Sequence, residues 1–290
     1  VFVANLLIAL REGFEASLII GILVAYLIKT RRRDVLPKMW LGVGVAVLLP
    51  LGIGALLTWG PKTLSFQVQE IIGGTLSLVA VALVTWMIFW MGRHSRQLKH
   101  DLESSVERSL VGGSGGWGMV WLAVLAVGRE GVETALFIWA TVRSSIQTNV
   151  LATTTGVLTG LVLSVALGWI VYRGARRINM RLFFSATGYF LIVVTAGICA
   201  YGIGDLQEAG VLPGIMSHAW DLSNRLPAIT SPLFWTYTLG QAVFQVNLQP
   251  TVLQVLAWVV YLVPTVFLFT RQVSSGKRAA TRAAPHVQAH

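Results

Sequence analysis

Seven stretches of this 290-residue chain stay apolar for about as long as a helix needs, ~20 residues, to cross the hydrocarbon core of a bilayer. They fall at about 2–28, 39–59, 67–92, 117–142, 150–172, 182–203 and 251–270. Such stretches read as membrane-spanning helices, so the expected fold is an all-α, polytopic membrane protein with seven spans. Composition agrees: 12% of residues are charged, against roughly 25% in a soluble domain. The 29 Gly and 11 Trp suit close helix packing and interfacial anchoring. A single cysteine, Cys199, excludes an intramolecular disulfide and a multi-thiolate metal site. The first stretch lacks a basic leading region, runs long and holds Arg11, Glu12 and Glu15 at its centre, so it reads as a span and not as an export signal.

A net charge of +10 would suit nucleic acid, but its distribution points elsewhere. Most Lys and Arg lie in alternate connections: Lys29 to Lys38, Arg93 to Arg108, Arg173 to Arg181, and Arg271 to Arg282. The other connections hold little beyond Lys62, Arg143 and Arg225. Basic excess marks the cytoplasmic side. The N-terminus is therefore expected outside and the C-terminus inside, with no nucleic-acid partner and membrane lipid as the surrounding medium. Trp40, Trp59, Trp86, Trp90, Trp117, Trp121 and Trp139 read as interfacial anchors near span ends.

The feature that carries chemistry is a pentapeptide that occurs twice. Arg11-Glu12-Gly13-Phe14-Glu15 lies near the middle of the first span, and Arg129-Glu130-Gly131-Val132-Glu133 lies at the same depth of the fourth, 118 residues later. Residues 1–92 and 117–203 thus read as two three-helix repeats of opposite orientation, an arrangement whose substrate site lies near the midplane at the repeat interface. Between them, 93–116 is expected as a cytoplasmic loop. An external segment (204–250), the seventh span (251–270) and a basic, disordered cytoplasmic tail (271–290) complete the organisation. Part of the external segment, 233–247, is apolar enough to dip into the membrane without crossing it.

At 3.6 residues per turn, Glu12 and Glu15 share a helix face, as do Arg11 and Glu15. Each mid-bilayer charge costs at least ~2.5–3.5 kcal/mol on insertion scales, so these groups must face the protein interior. The plainer reading is that Arg11 and Arg129 pair with glutamates to hold helices together. Four Glu and two Arg, however, leave a formal excess of two negative charges, which protons or a bound cation must neutralise. Carboxylate oxygens are hard ligands suited to Fe, Mn, Mg or Ca, and no His or Cys accompanies them to favour zinc or copper. Glu12, Glu15, Glu130 and Glu133 are therefore the candidate metal ligands, with Arg11 and Arg129 orienting them.

The paired motifs resemble those of the oxidase-dependent iron transporters, a family that includes fungal ferroxidase-coupled iron permeases and bacterial ferrous iron permeases. The resemblance extends to Thr85–Met91, to Glu208-Ala209-Gly210, to Phe2-Val3 and to Trp258–Pro264. It implies an iron permease of a bacterial cytoplasmic membrane, with iron as substrate, no organic cofactor and the motif glutamates essential to translocation. An extracytoplasmic oxidase, peroxidase or cupredoxin-like partner is implied as well. Two departures stand out: relatives often carry E-x-x-E where Glu70 is here followed by Gly73, and Gln245-Val246 replaces a Gly-Tyr before the last span. An exchanger for another divalent cation (Mn, Pb or Ca) and a non-transporting metal-binding subunit remain open alternatives.

Glu70, Asp205 and Glu208 fall at outer ends of the third and sixth spans, where they form a candidate acidic entrance. His218 and Asp221 read as a polar loop, His94, His100, His286 and His290 as solvated, and the Met residues as packing. Neither an H-E-x-x-H helix nor a Walker loop is present, so the chain is not expected to be an enzyme.

Overall fold

With no water to receive them, backbone N–H and C=O groups in apolar stretches pair within their own segment, and the result here is long helices. The computed structural model describes residues 2–59, 65–94, 98–111, 116–143, 150–173, 180–221 and 249–282. They form eight helices: α1 (Phe2–Lys29), α2 (Leu36–Trp59), α3 (Phe66–His94), α4 (Leu98–Val111), α5 (Trp117–Arg143), α6 (Val150–Tyr172), α7 (Met180–Glu208) and α8 (Val252–Arg282). Five of them (α2, α3, α6, α7 and α8) are long and apolar enough to cross a membrane. The helices α1 and α5, 28 and 27 residues long, have the length but carry the charged motifs.

Helix ends are closed by local hydrogen bonds. Past α1, Arg31 adopts φ +59°; Arg32 N–H then donates to Leu27 O at 2.9 Å and Arg31 N–H to Ile28 O at 3.2 Å. Past α7, Gly210 (φ +75°) allows the same closure, with Val211 N–H donating to Leu206 O and Gly210 N–H to Gln207 O, both at 3.0 Å. Two orphan carbonyls are satisfied each time, which is what a left-handed residue after a helix achieves. The loop beyond Gly210 then returns to α8 through an isolated bridge between His218 and Thr251, so His218 sits in a hydrogen-bonded loop. The apolar 233–247 stretch, Pro227, Pro232, Gln245 and Val246 lie outside the described residues.

The helices α1 and α5 occupy the centre. They touch each other, α1 also packs along α6 and α5 along α2, while α3 packs on α7 and α7 on α8. Two differences from the sequence expectation concern the ends. The 93–116 connection contains α4, whose Leu102 and Val106 are buried with Leu23, Leu27, Met39 and Met119. Apolar residues four apart put both on one helix face, so the segment docks under α1, α2 and α5. The last helix, moreover, continues to Arg282 instead of ending near 270; Lys277, Arg278, Ala279 and Ala280 are good helix formers there.

Close approach of backbones fixes the two flanking pairs. A Cβ on Gly42 of α2 would lie 2.5 Å from Val120 O of α5, and one on Gly160 of α6 would run into Leu6 O of α1. These two glycines are 118 residues apart, the same spacing as the charged motifs. Small residues at such contacts let membrane helices approach closely enough for dispersion to hold them. Gly42→Val or Gly160→Val should destabilise the folded protein by about 1–3 kcal/mol through overpacking. Gly44, which has open space around it, should tolerate Ala. Thermal unfolding in detergent, followed by size-exclusion, checks both; equal stability of all three variants would contradict the packing assignment.

Candidate metal site

The two pentapeptides adopt the same local geometry because each lies in a continuous helix. Arg11 Nε donates to Glu15 Oε1 at 3.3 Å, and Arg129 Nε donates to Glu133 Oε1 at 2.9 Å. Each arginine also stands 4.0 Å from the next glutamate, Glu12 or Glu130. Arg11, Glu12, Glu15, Glu130 and Glu133 are all buried. Where α1 and α5 meet, one carboxylate oxygen from each of Glu12, Glu130 and Glu133 lies within 4.8 Å of the other two. Both oxygens of Glu12 and Oε2 of Glu130 and Glu133 have no hydrogen-bond partner. Buried acceptors left unmade are costly, and one oxygen from each of the three residues lies close enough to the others to share a cation. Glu15, whose Oε1 Arg11 holds, is not one of the three.

The motif glycines serve the flanking helices. Gly13 faces Ser164 of α6 and Gly131 faces Pro50 of α2, so the uncovered backbone admits the second helix of the opposite half. Beside Glu12 and Glu130 lies a cavity of about 740 Å³ between α2 and α6. It reaches from the carboxylates to Ala55, Val142 and Thr153, at the end of the bundle where α2 stops and α6 starts. At the opposite end the packed cluster around Leu27, Met39, Leu102 and Met119 closes the bundle.

A buried carboxylate trio on a twice-repeated motif, flanked by a cavity, has the chemistry to bind a cation. The model of the iron permease FTR1 family matches residues 2–278. This chain belongs to the iron permease FTR1 family. It is 34% identical to the ferrous iron permease EfeU of Escherichia coli O6:H1 over 94% of this chain and 97% of the relative. Identity is again 34% to the EfeU of Shigella sonnei, over 96% and 98% of the two chains, and 33% to that of Yersinia pestis, over 91% of each. No solved structure matches.

Within this FTR1-family chain, α3 supplies what the sequence reading missed. Arg11 Nη2 points at Met87 Sδ, 2.9 Å away. The Arg129 guanidinium lies over the rings of Trp90 and Trp86, 4.8 and 5.4 Å from their centroids. Trp86 and Trp90 therefore hold a charge of the site, and Met87 is more than packing. The signal was present, since an i, i+4 Trp pair presents one aromatic face, but the interfacial bias of Trp masks it. Asn5 is a second omission: fully buried, both amide atoms unpartnered, it sits seven residues before Glu12 on the same face of α1.

The expected acidic entrance is only partly acidic. Arg143 pairs with Glu70 through Nη2 and with Asp205 through Nε, both at 3.0 Å, whereas Glu208 is exposed. The His94, His100, His286 and His290 side chains lie outside the described residues. If the Trp faces hold Arg129, Trp90→Leu and Arg129→Gln should be coupled in a double-mutant cycle by about 0.5–2 kcal/mol, the worth of a cation–π contact. Thermal unfolding of the two single variants and the double variant measures this; additive effects would mean that the stacking contributes nothing.

Proposed function

We propose that this chain is an iron permease that binds its ion between Glu12, Glu130 and Glu133 and carries it across a bacterial cytoplasmic membrane. The observation that carries the reading is the convergence of unpartnered carboxylate oxygens from two helices at one buried point. Hard oxygen ligands suit iron, and the family and its named relatives act on iron. Glu15 is the fourth carboxylate, held one turn away by Arg11, and joins the ion when that pair loosens. Arg11 and Arg129 keep the site from carrying four bare negative charges; a divalent ion then makes it formally neutral.

In this reading α1 and α5 also cross the membrane, which brings the spans to seven. Residues 1–92 and 117–203 are inverted repeats related by a two-fold axis in the membrane plane. Its support is the exchange of partners: α1 packs on α6 as α5 packs on α2, and Gly42 and Gly160 make matching contacts at matching positions. The basic connections place α4 and the C-terminus inside, so the cavity beside Glu12 and Glu130 faces outward. Its walls are mostly apolar, and the first strong ligands a cation meets along it are the carboxylates themselves. An extracytoplasmic oxidase, peroxidase or cupredoxin-like protein, setting the oxidation state of the iron, is the implied partner.

Glu12→Gln, Glu130→Gln and Glu133→Gln each keep side-chain size while removing an anionic ligand. Each should lower radioactive iron uptake into proteoliposomes to the level of empty vesicles, with insertion unimpaired, because a neutral residue at the midplane is easier to insert. Glu15→Gln should do the same or nearly so. Since the glutamates act as one site, double replacements should cost scarcely more than single ones. Uptake at the unmodified rate by well-inserted Glu12→Gln and Glu130→Gln would show that the motif is structural and that the ion passes elsewhere.

A further inference from the structure

The last helix, α8, has two faces. One packs on α3 and α7: the Phe269 ring meets those of Phe89 and Tyr189 at centroid separations of 6.2 and 4.9 Å, and Gln272 Nε2 donates to Phe89 O at 2.9 Å. The opposite face follows the helical repeat through Leu256, Val260, Val263 and Phe267, all exposed. The same repeat then reaches Arg271, Ser274 and Ser275, which are exposed as well. An apolar stripe ~16 Å long thus ends in a guanidinium and two hydroxyls. The sequence carries the stripe on with Arg at positions 278 and 282, inside the same helix.

The junction between the two parts is hollow. A recess of about 490 Å³ is lined by Phe267, Thr270, Arg271, Ser274 and Ser275. The Arg271 guanidinium lies over the Phe267 ring, 4.4 Å from its centroid, so the charge is held where the apolar stripe stops. Among the described residues Arg271 forms no ion pair, and no Asp or Glu follows Asp221 in the sequence. In a spanning helix the apolar stripe is covered by acyl chains, so the polar end decides which headgroup sits above them. A guanidinium beside hydroxyl donors suits a phosphate. Positive charge with no acid to oppose it favours a lipid of net negative charge over a zwitterionic one.

We propose that this face of α8 binds an anionic phospholipid, with the lipid phosphate in the recess at Arg271, Ser274 and Ser275 and an acyl chain along Val263 and Val260. The inference does not depend on which ion the bundle carries. It requires that α8 cross the bilayer, for which the helix is long and apolar enough.

In a Cys199→Ala background, Val263→Cys carries a bimane fluorophore on the stripe, about 12 Å along the helix from Arg271, and the full chain is reconstituted in phosphatidylcholine vesicles. Phosphatidylglycerol brominated on its acyl chains should half-quench the fluorophore at a mole fraction about fivefold lower than brominated phosphatidylcholine, roughly the worth of one basic residue at a lipid surface. R271Q should remove most of that preference, and R271K, which keeps the charge but loses the fork, should retain part of it. R33Q, which removes an exposed charge from the connection after α1, should leave it unchanged. Millimolar inorganic phosphate should not release the quenching lipid. Circular dichroism and monodispersity identify variants that fold. Undiminished preference in folded R271Q overturns the site, and so does an equal loss in R33Q, which would mean a diffuse surface attraction. Release by inorganic phosphate would overturn the lipid as the occupant, since the recess would then take the free anion.

Discussion

Burying a charged carboxylate is costly unless it is paired, and this chain buries four of them on two touching helices. The rest of the architecture answers that cost. Because α1 and α5 carry the charges, they occupy the centre of the bundle, and the more apolar helices α2, α6 and α8 present large exposed hydrophobic side chains outward. Each arginine takes up one glutamate of its own helix, four residues on, which helical geometry provides without any tertiary contact. Glu12 and Glu130 remain, and an oxygen of each lies within 4.8 Å of one from Glu133. Such an arrangement favours uptake of a proton or a cation.

The two motifs are alike in sequence and internal geometry but are held by different chemistry. One guanidinium rests on the Met87 sulfur and is fully enclosed; the other rests on the faces of Trp86 and Trp90 and is about one-third exposed. All three residues belong to α3, so a single helix sets the environment of both arginines. The unequal hold on Arg11 and Arg129 gives the two halves different freedom, and the tie between Arg143 and the α3–α7 pair adds a second inequality at one end only.

Much of this was legible in the sequence because the bilayer simplifies the code. Long apolar runs specify helices, and a charge inside one has to face protein, so Arg11 to Glu15 and Arg129 to Glu133 announced themselves. Their meeting point was legible too, through the repeat. Which glutamates share the point was not: helix faces place Glu12 and Glu15 together, and only the crossing of α1 on α5 selects Glu12 with Glu130 and Glu133. The roles of Trp86, Met87 and Trp90 depend on which face of α3 meets α1 and α5, which an almost uniformly apolar helix does not reveal. Arg143 looked like a stray charge in a connection because its partners are more than 60 residues away in either direction. The amphipathic α4 was hidden by its polar majority, since two buried residues, Leu102 and Val106, are enough to dock it.

The account stands or falls on where the ion sits. Crystals of the intact protein grown with iron, measured on either side of the iron absorption edge, locate the metal by its anomalous scattering without reference to any assumed ligand. The account predicts one dominant peak between Glu12, Glu130 and Glu133, within bonding distance of an oxygen from each and at the inner end of the cavity that leads to them. A dominant iron peak elsewhere, with the trio still empty and its oxygens drawn apart, would contradict it.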